Sequence, residues 1–266
     1  MLSYKINFKE KITNQVYKII FLIAVFLFLP TNSFSQETLE AKNSDTQKTS
    51  KFWNGHAEGG STLVKGNTNQ ESVYGKINVT YKKEDISNLL KTRLENTKAD
   101  KARIKERYDI NNNFRYNFTK KNFTLLELEY IDDRYGGYDY RISESIGYGR
   151  NFIDEKTLDF SGQISAGSRQ IKFTNSGKEE SWLIRVGGDL NWKIKEDVEF
   201  KQHLDVSFDK ETEIIRSDTS IKVKMKSLSE SVYFTASYFL EKKSSTASSQ
   251  IKNTDSTMML MFGYDF

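Results

Sequence analysis

The stretch "SWLIRVGGDLNWK", residues 181–193, decides how this chain folds. Trp182, Ile184, Val186, Leu190 and Trp192 fall on one parity; Ser181, Arg185, Asp189, Asn191 and Lys193 fall on the other. The next run repeats the pattern. Val198, Phe200, Leu204, Val206 and Phe208 alternate with Glu199, Lys201, His203, Asp205 and Ser207. A period of two is that of a β-strand, whose successive side chains point to opposite faces. In a water-soluble sandwich the apolar face would meet a core and the charged face would meet water. In a membrane barrel the apolar face meets lipid and the charged face meets the lumen. Alternation alone fits both.

Length and number separate them. Working outward, strands are predicted near 51–63, 70–82, 88–98, 107–118, 122–132, 139–150, 157–168, 180–193, 198–208, 214–226, 230–242 and 253–266. Most exceed ten residues, whereas soluble strands typically run about five or six. A tilted strand crosses a bilayer in roughly nine to eleven. The count is even, as in bacterial single-chain barrels. The single proline, Pro30, lies outside all twelve segments, which suits a chain that is strand nearly throughout. The fold class expected is therefore all-β: a closed, up-and-down, antiparallel transmembrane β-barrel of about 12 strands over residues 51–266. A soluble sandwich would show more proline-bearing turns and shorter strands.

Connections after even segments read as tight ("TKKN", 119–122; "SLS", 227–229). Those after odd segments read as longer ("RQIKFTNSGKEE", 169–180; "KSSTASSQIK", 243–252). Outer-membrane barrels have short periplasmic turns and longer external loops, so both ends of the barrel chain are expected in the periplasm. That polarity gathers Trp53, Phe118, Phe123, Phe152, Trp192, Phe200 and Phe266 near one rim. Tyr130, Tyr138, Tyr140, Trp182, Phe208 and Tyr238 gather near the other, giving two aromatic girdles. Asn112, Glu144 and Gln202 disagree, because they fall on the lipid parity. An interfacial position or a local bulge would account for each.

The amino terminus reads as an export signal. Lys5, Lys9, Lys11 and Lys18 precede the apolar run "IIFLIAVFLFL" (19–29) and the small-residue stop at Ser33 and Ser35. Eleven apolar residues are too few to span a bilayer, which takes about 20. Residues 1–35 are expected to be cleaved, and 36–50 to form a flexible periplasmic segment. The leader holds four lysines against Glu10, so the formal charge of +4 falls to near +1 in the mature chain. Nucleic-acid binding loses its electrostatic basis. With no cysteine, disulfides, thiolate metal sites and thiol nucleophiles are excluded.

The inward parity is charged on most strands, with both signs: Lys91, Arg93, Glu95, Asp109, Arg115, Glu127, Glu129, Arg141, Arg185, Asp189, Lys222 and Lys224, joined by Lys201, His203 and Asp205. A pore selective for one sign of ion would favour one charge. Twelve strands give a backbone diameter of roughly 24 Å, much of which long side chains fill. Arg93, Arg115, Glu127, Glu129, Arg141, Arg185, Asp189, Lys201, His203 and Asp205 are the lumen-lining candidates, and on parity alone substitution of Arg185 is expected to leave assembly intact. A narrow or largely occluded channel for small polar solutes or ions follows, or a structural envelope role. The competing reading is a hydrolase using His203 or His56 with nearby acids and a loop serine. It requires an acid and a hydroxyl to converge on one histidine. "KGNT" (65–68) and "RYGGYD" (134–139) read as hairpin turns rather than ligand loops. No phosphate-cradling glycine motif and no spaced calcium-loop acids occur, so neither a cofactor nor a metal is implied.

Two resemblances add to this. The ending "MMLMFGYDF" (258–266), with Tyr264 and Phe266 on the apolar parity, resembles the carboxy-terminal assembly signal of outer-membrane barrels, although the glycine usual five residues before the end is Met261 here, with glycine instead at Gly263. This implies the barrel-insertion machinery as a partner during biogenesis, with lipid and lipopolysaccharide as surroundings. "WNGHAEGGSTLVKGNTN" (53–69), "DDRYGGYDYRISESIGYGRNF" (132–152) and "LDFSGQISAGSR" (158–169) resemble the salt-induced outer membrane protein (YdiY-like) family. That resemblance implies a signal-bearing barrel of the Gram-negative outer membrane and a link to osmotic or salt adaptation. It supplies no catalytic residue and no substrate.

Overall fold

The computed structural model describes residues 52–64, 70–100, 102–174, 177–210, 212–244 and 253–266. The expected leader 1–35, the segment 36–50, the turn 65–68 and most of 243–252 lie outside the described residues. Twelve strands follow one another: β1 (Trp53–Val64), β2 (Gln70–Lys83), β3 (Ile86–Ala99), β4 (Ala102–Asn117), β5 (Asn122–Asp133), β6 (Tyr138–Asp154), β7 (Leu158–Phe173), β8 (Gly177–Lys195), β9 (Val198–Phe208), β10 (Glu213–Lys224), β11 (Val232–Lys243) and β12 (Thr254–Asp265). Each is antiparallel to its sequence neighbours, and β12 returns to β1 to close the barrel. The shortest strand has 11 residues and the longest 19, at or beyond what a tilted membrane crossing needs.

Alternation becomes inside and outside. Outward lie Ile146, Ile164, Val186, Met258, Leu260 and Phe262, all between 47% and 67% exposed. Inward, Arg141, Arg185, Glu127, Glu129 and Glu241 are buried. A soluble fold has no reason to put its aliphatic residues outside and its charges inside. A barrel wrapped in lipid does.

Three expectations are corrected. The segment 169–180 is mostly strand, because β7 runs to Phe173 and β8 begins at Gly177. The tight turn expected at 227–229 is a wider connection, 225–231, after an even strand, while the longest interval between strands, from Lys243 to Thr254, follows an odd one. Phe123 and Tyr138 point inward, 1% and 4% exposed, and belong to neither girdle. Phe123 shares the parity of Glu127, and a register shift between Tyr138 and Tyr140 turns Tyr138 inward.

The polar residues on the lipid parity keep their register and each meets a partner. Asn112 and Asn88 exchange amide hydrogen bonds at 2.9 and 3.3 Å. Ser168 donates to Glu144 at 3.1 Å from the facing position on β7. Gln202 donates to Ser217 at 2.9 Å and accepts from Thr219. All three lie inside their strands and not at the ends, so hydrogen bonding to a neighbour, and neither an interfacial position nor a bulge, is what satisfies them.

Two aromatic rings lie flat over glycines on the facing strand. A Cβ on Gly263 would stand 2.2 Å from Tyr233 Cζ, and one on Gly149 would stand 2.1 Å from Phe123 Cζ. Lys222 caps the Tyr233 ring at 3.6 Å and Arg115 the Phe123 ring at 3.4 Å. Gly263 therefore serves the lumen side of the closing strand. The tight connection at 134–137 holds Gly137 at φ +85°, the left-handed geometry that a glycine turn provides.

Candidate functional site: a vestibule closed by an ion-pair plug

A cavity of about 1340 Å³ occupies the lumen. It is lined at one end by Asn54, Lys195, Asp197 and Asp265, close to where β1 starts and β12 ends, and reaches inward to Arg107, Glu129 and Arg216. The floor of this vestibule is an ion-pair chain. Arg107 Nη2 donates to Glu241 Oε2 at 2.9 Å, Arg216 Nε to the same oxygen at 2.8 Å, Arg216 Nη1 to Glu129 Oε2 at 2.6 Å, and Arg185 Nη2 to Glu129 Oε1 at 3.0 Å.

The chain Arg107–Glu241–Arg216–Glu129–Arg185 runs β4, β11, β10, β5, β8. In the ring order, β4 is five strands from β11 and β10 five from β5, so the pairs cross the lumen nearly diametrically. Arg141 adds longer contacts to Glu129 (4.0 Å) and Glu241 (3.7 Å), and Arg107 to Asp133 (3.6 Å). Asp109 takes both Arg107 (2.8 Å) and Arg93 (2.7 Å).

Burying so many ions is expensive, several kcal/mol each, unless partners replace water. Here each carboxylate of the chain serves two or more arginines. Even so, Arg107 Nη1, Arg141 Nε, Arg185 Nε and Arg216 Nη2 are buried without a hydrogen-bond partner. Arg107 Nη1 and Arg141 Nε make only the longer ion-pair contacts to Asp133 and Glu129.

The remaining candidates line the vestibule. His203 Nδ1 donates to Asp189 Oδ1 at 2.7 Å, with Asp205 buried on the same face of β9. Lys201 pairs with Glu199 at 3.2 Å, and Arg115 donates to Asn117 (2.9 Å) and Asn151 (2.8 Å). Asn78 Nδ2 lies 2.8 Å from His56 Nε2. Asp189 is thus the acid that converges on His203, and among the described residues no hydroxyl makes a hydrogen bond to either histidine. Nor do any three His, Asp or Glu side chains among them gather as a metal site. Tyr264 faces outward on β12, and Phe266, just past its end, lies half exposed at the mouth of the vestibule.

Arg107, Arg169, Arg216 and Glu241 were not among the sequence candidates. For Arg107, Arg216 and Glu241 the available signal is parity with Asp109, Asp218 and Phe239, whereas Arg169 falls in a stretch expected to be a connection and joins β7 only in the structure.

Residues 57–266, nearly all of the barrel, match a family of proteins of unknown function. The chain belongs to DUF481, a family of proteins of unknown function. The uncharacterized protein YdiY of Escherichia coli (strain K12) is 24% identical over 245 residues, covering 92% of this chain and 96% of YdiY. Among solved structures, the NanC porin is similar with a TM-score of 0.49 at 8% identity, over 79% of this chain and 98% of that one. The COG4313 outer membrane channel from Pseudomonas putida F1 has a TM-score of 0.45 at 7% identity, over 80% and 94%. For this DUF481 chain the site therefore has to be read from its own residues: an open vestibule, a charged wall and a closed floor.

Proposed function

We propose that the protein is an outer-membrane barrel of a Gram-negative cell. It is exported by a cleaved leader at 1–35, inserted by the barrel-assembly machinery and surrounded by lipid and lipopolysaccharide. In this reading the vestibule faces the periplasm, and its activity is passive, restricted passage of small ions or polar solutes. The cross-lumen chain from Arg107 to Arg185 carries the reading. It leaves an entrance large enough for hydrated solutes but fills the middle of the lumen with charge of both signs. Guanidinium N–H groups that make no hydrogen bond offer water or a small anion a foothold within the plug.

A structural envelope role linked to osmotic or salt adaptation is the second reading, favoured by the same plug if it stays shut. A hydrolytic reading would need a hydroxyl at His203 or His56, and among the described residues none makes a hydrogen bond to either.

Single-channel recording in planar bilayers tests the proposal. Wild-type protein should show small, resolvable conductance, and Arg216→Ala should raise it several-fold by removing the residue that bridges Glu129 and Glu241. Silence from both would leave the structural role.

A further inference from the structure

Two charged side chains on opposite walls of the vestibule stand outside its ion pairs. Asp205 lines the cavity and is 8% exposed, yet among the described residues its carboxylate makes neither an ion pair nor a hydrogen bond. Its ladder neighbours explain why. Gly187 on β8 has no side chain to offer, and Arg216 on β10 turns its guanidinium to Glu129 and Glu241. Arg185, the next cation along β8, is held by Glu129 at 3.0 Å and by Glu127 at 3.8 Å. A Cβ on Gly187 would meet nothing closer than Leu204 O at 3.3 Å, so the glycine leaves room beside the carboxylate.

Lys91 is the complementary case. It projects from β3, six strands from β9 in the ring and so on the opposite wall, and it lines the same cavity. Its ladder neighbours are the amides Asn78 and Asn111, and among the described residues no carboxylate lies within ion-pair distance of it. Asp109, one inward step along β4 from Asn111, is taken by Arg107 and Arg93. Lys91 and Asp205 both stand within electrostatic reach of His203, which pairs with Asp189 at 2.7 Å.

A carboxylate withdrawn from bulk water without a partner is costly. A cation entering the vestibule therefore gains more at Asp205 than at a wall group already paired. An anion gains likewise at Lys91, whose three ammonium donors turn freely. A plain anion would also meet Asp205, and a plain cation Lys91, each a like-charge contact. A molecule with both charges satisfies both walls.

We infer that the inner vestibule binds a linear zwitterion of the short-peptide kind, its ammonium against Asp205 and its carboxylate against Lys91. The cationic end is a primary ammonium, which donates hydrogen bonds to a carboxylate. A quaternary one relies on open aromatic faces, and the inner lining rings are covered, Phe123 by Arg115 at 3.4 Å and Phe239 by Arg93 at 3.6 Å. The site rests on the reading of the vestibule as a solute entrance, and not on passage through the plug.

Saturation-transfer NMR on the folded mature chain in lipid vesicles tests it, with triglycine as the probe. N-acetyl-triglycine lacks the ammonium, triglycine amide lacks the carboxylate, and glycine betaine carries a quaternary head. Triglycine should bind saturably, and each of the other three several-fold more weakly. Asp205→Asn should lower triglycine affinity to that of the acetylated peptide while leaving the acetylated peptide's own affinity unchanged. Lys91→Gln should do the same with respect to the amide. Equal binding of free and capped peptides by the wild-type protein, or no binding, overturns the site, and neither outcome needs a variant. So does an equal loss of all four probes in both folded variants. Conductance in planar bilayers keeps the two proposals apart. Selective binding by a silent barrel would sink passage and keep the site, whereas conductance without selective binding would do the reverse.

Discussion

Phe266 and Gly55 exchange both backbone hydrogen bonds, Gly55 N to Phe266 O at 3.0 Å and Phe266 N to Gly55 O at 2.9 Å. The Phe266 ring covers Gly55, whose imagined Cβ would lie 2.5 Å from it. Because the β1–β12 ladder registers only four pairs, this bond pair at its base is a large fraction of closure. Removing it exposes two backbone groups at the rim and loosens the strand that must seal the edge.

Deletion of Phe266 should therefore impair barrel assembly while leaving export across the inner membrane intact. Heat-modifiable electrophoretic migration of the membrane fraction reads this directly. A truncated chain that still migrates as a folded barrel would show that the four-pair ladder closes without its base.

Gly263→Ala should destabilise the barrel by about 1–3 kcal/mol, the usual penalty for overpacking. The new methyl meets Tyr233, which is fully buried beneath Lys222. Tyr233→Leu removes the ring, so the double variant should lose less than the sum of the singles. Urea titration in lipid vesicles gives all four corners of that cycle.

Strand parity was legible in the sequence because it is local: two faces can be read from a run such as 181–193 without knowing what lies opposite. The plug was not. Glu129 and Arg216 are 87 residues apart and meet only because strand stagger brings β5 and β10 to one height across the lumen. Parity correctly sends Arg185 inward, yet it cannot show that Arg185 lands between Glu127 and Glu129 and not on the open vestibule wall. Nor can it show that Asn112, Glu144 and Gln202 find partners one strand over. The bends that turn Tyr138 inward and lengthen β7 and β8 arise from pairing, which a single segment does not encode.

Glu241→Gln should be among the most damaging single changes in the barrel. Glu241 is 1% exposed and neutralises Arg107 and Arg216, with Arg141 and Lys243 nearby. Breaking a buried ion pair by removing one partner costs about 3–5 kcal/mol, since the other charge stays buried. Arg107 and Glu241 are coupled, so replacing both by leucine should cost less than the sum of the two single replacements, although Arg216 still loses its partner. Strictly additive costs would mean that the plug is held by packing and not by charge.

Adjacent positions 185 and 186 give the sharpest comparison, because both should be intolerant for different reasons. Val186 is 47% exposed on the lipid face near mid-strand, so Val186→Arg should lower stability by about 2–4 kcal/mol. Arg185 faces the lumen, where substitutions ordinarily leave assembly alone, yet here it joins Glu129 at 3.0 Å and Glu127 at 3.8 Å. Arg185→Glu would set a third carboxylate beside those two and should reduce folded yield as severely. Lys201→Gln, on the vestibule wall with 40% of its side chain exposed, is the benign lumen control. Charge exchange separates the causes: Glu129→Arg should partly rescue Arg185→Glu and do nothing for Val186→Arg. Folded yield and urea midpoints in vesicles supply the readout. If Arg185→Glu folds as well as Lys201→Gln, the ion-pair floor does not contribute to stability, and the account of a charge-filled, narrow lumen fails with it.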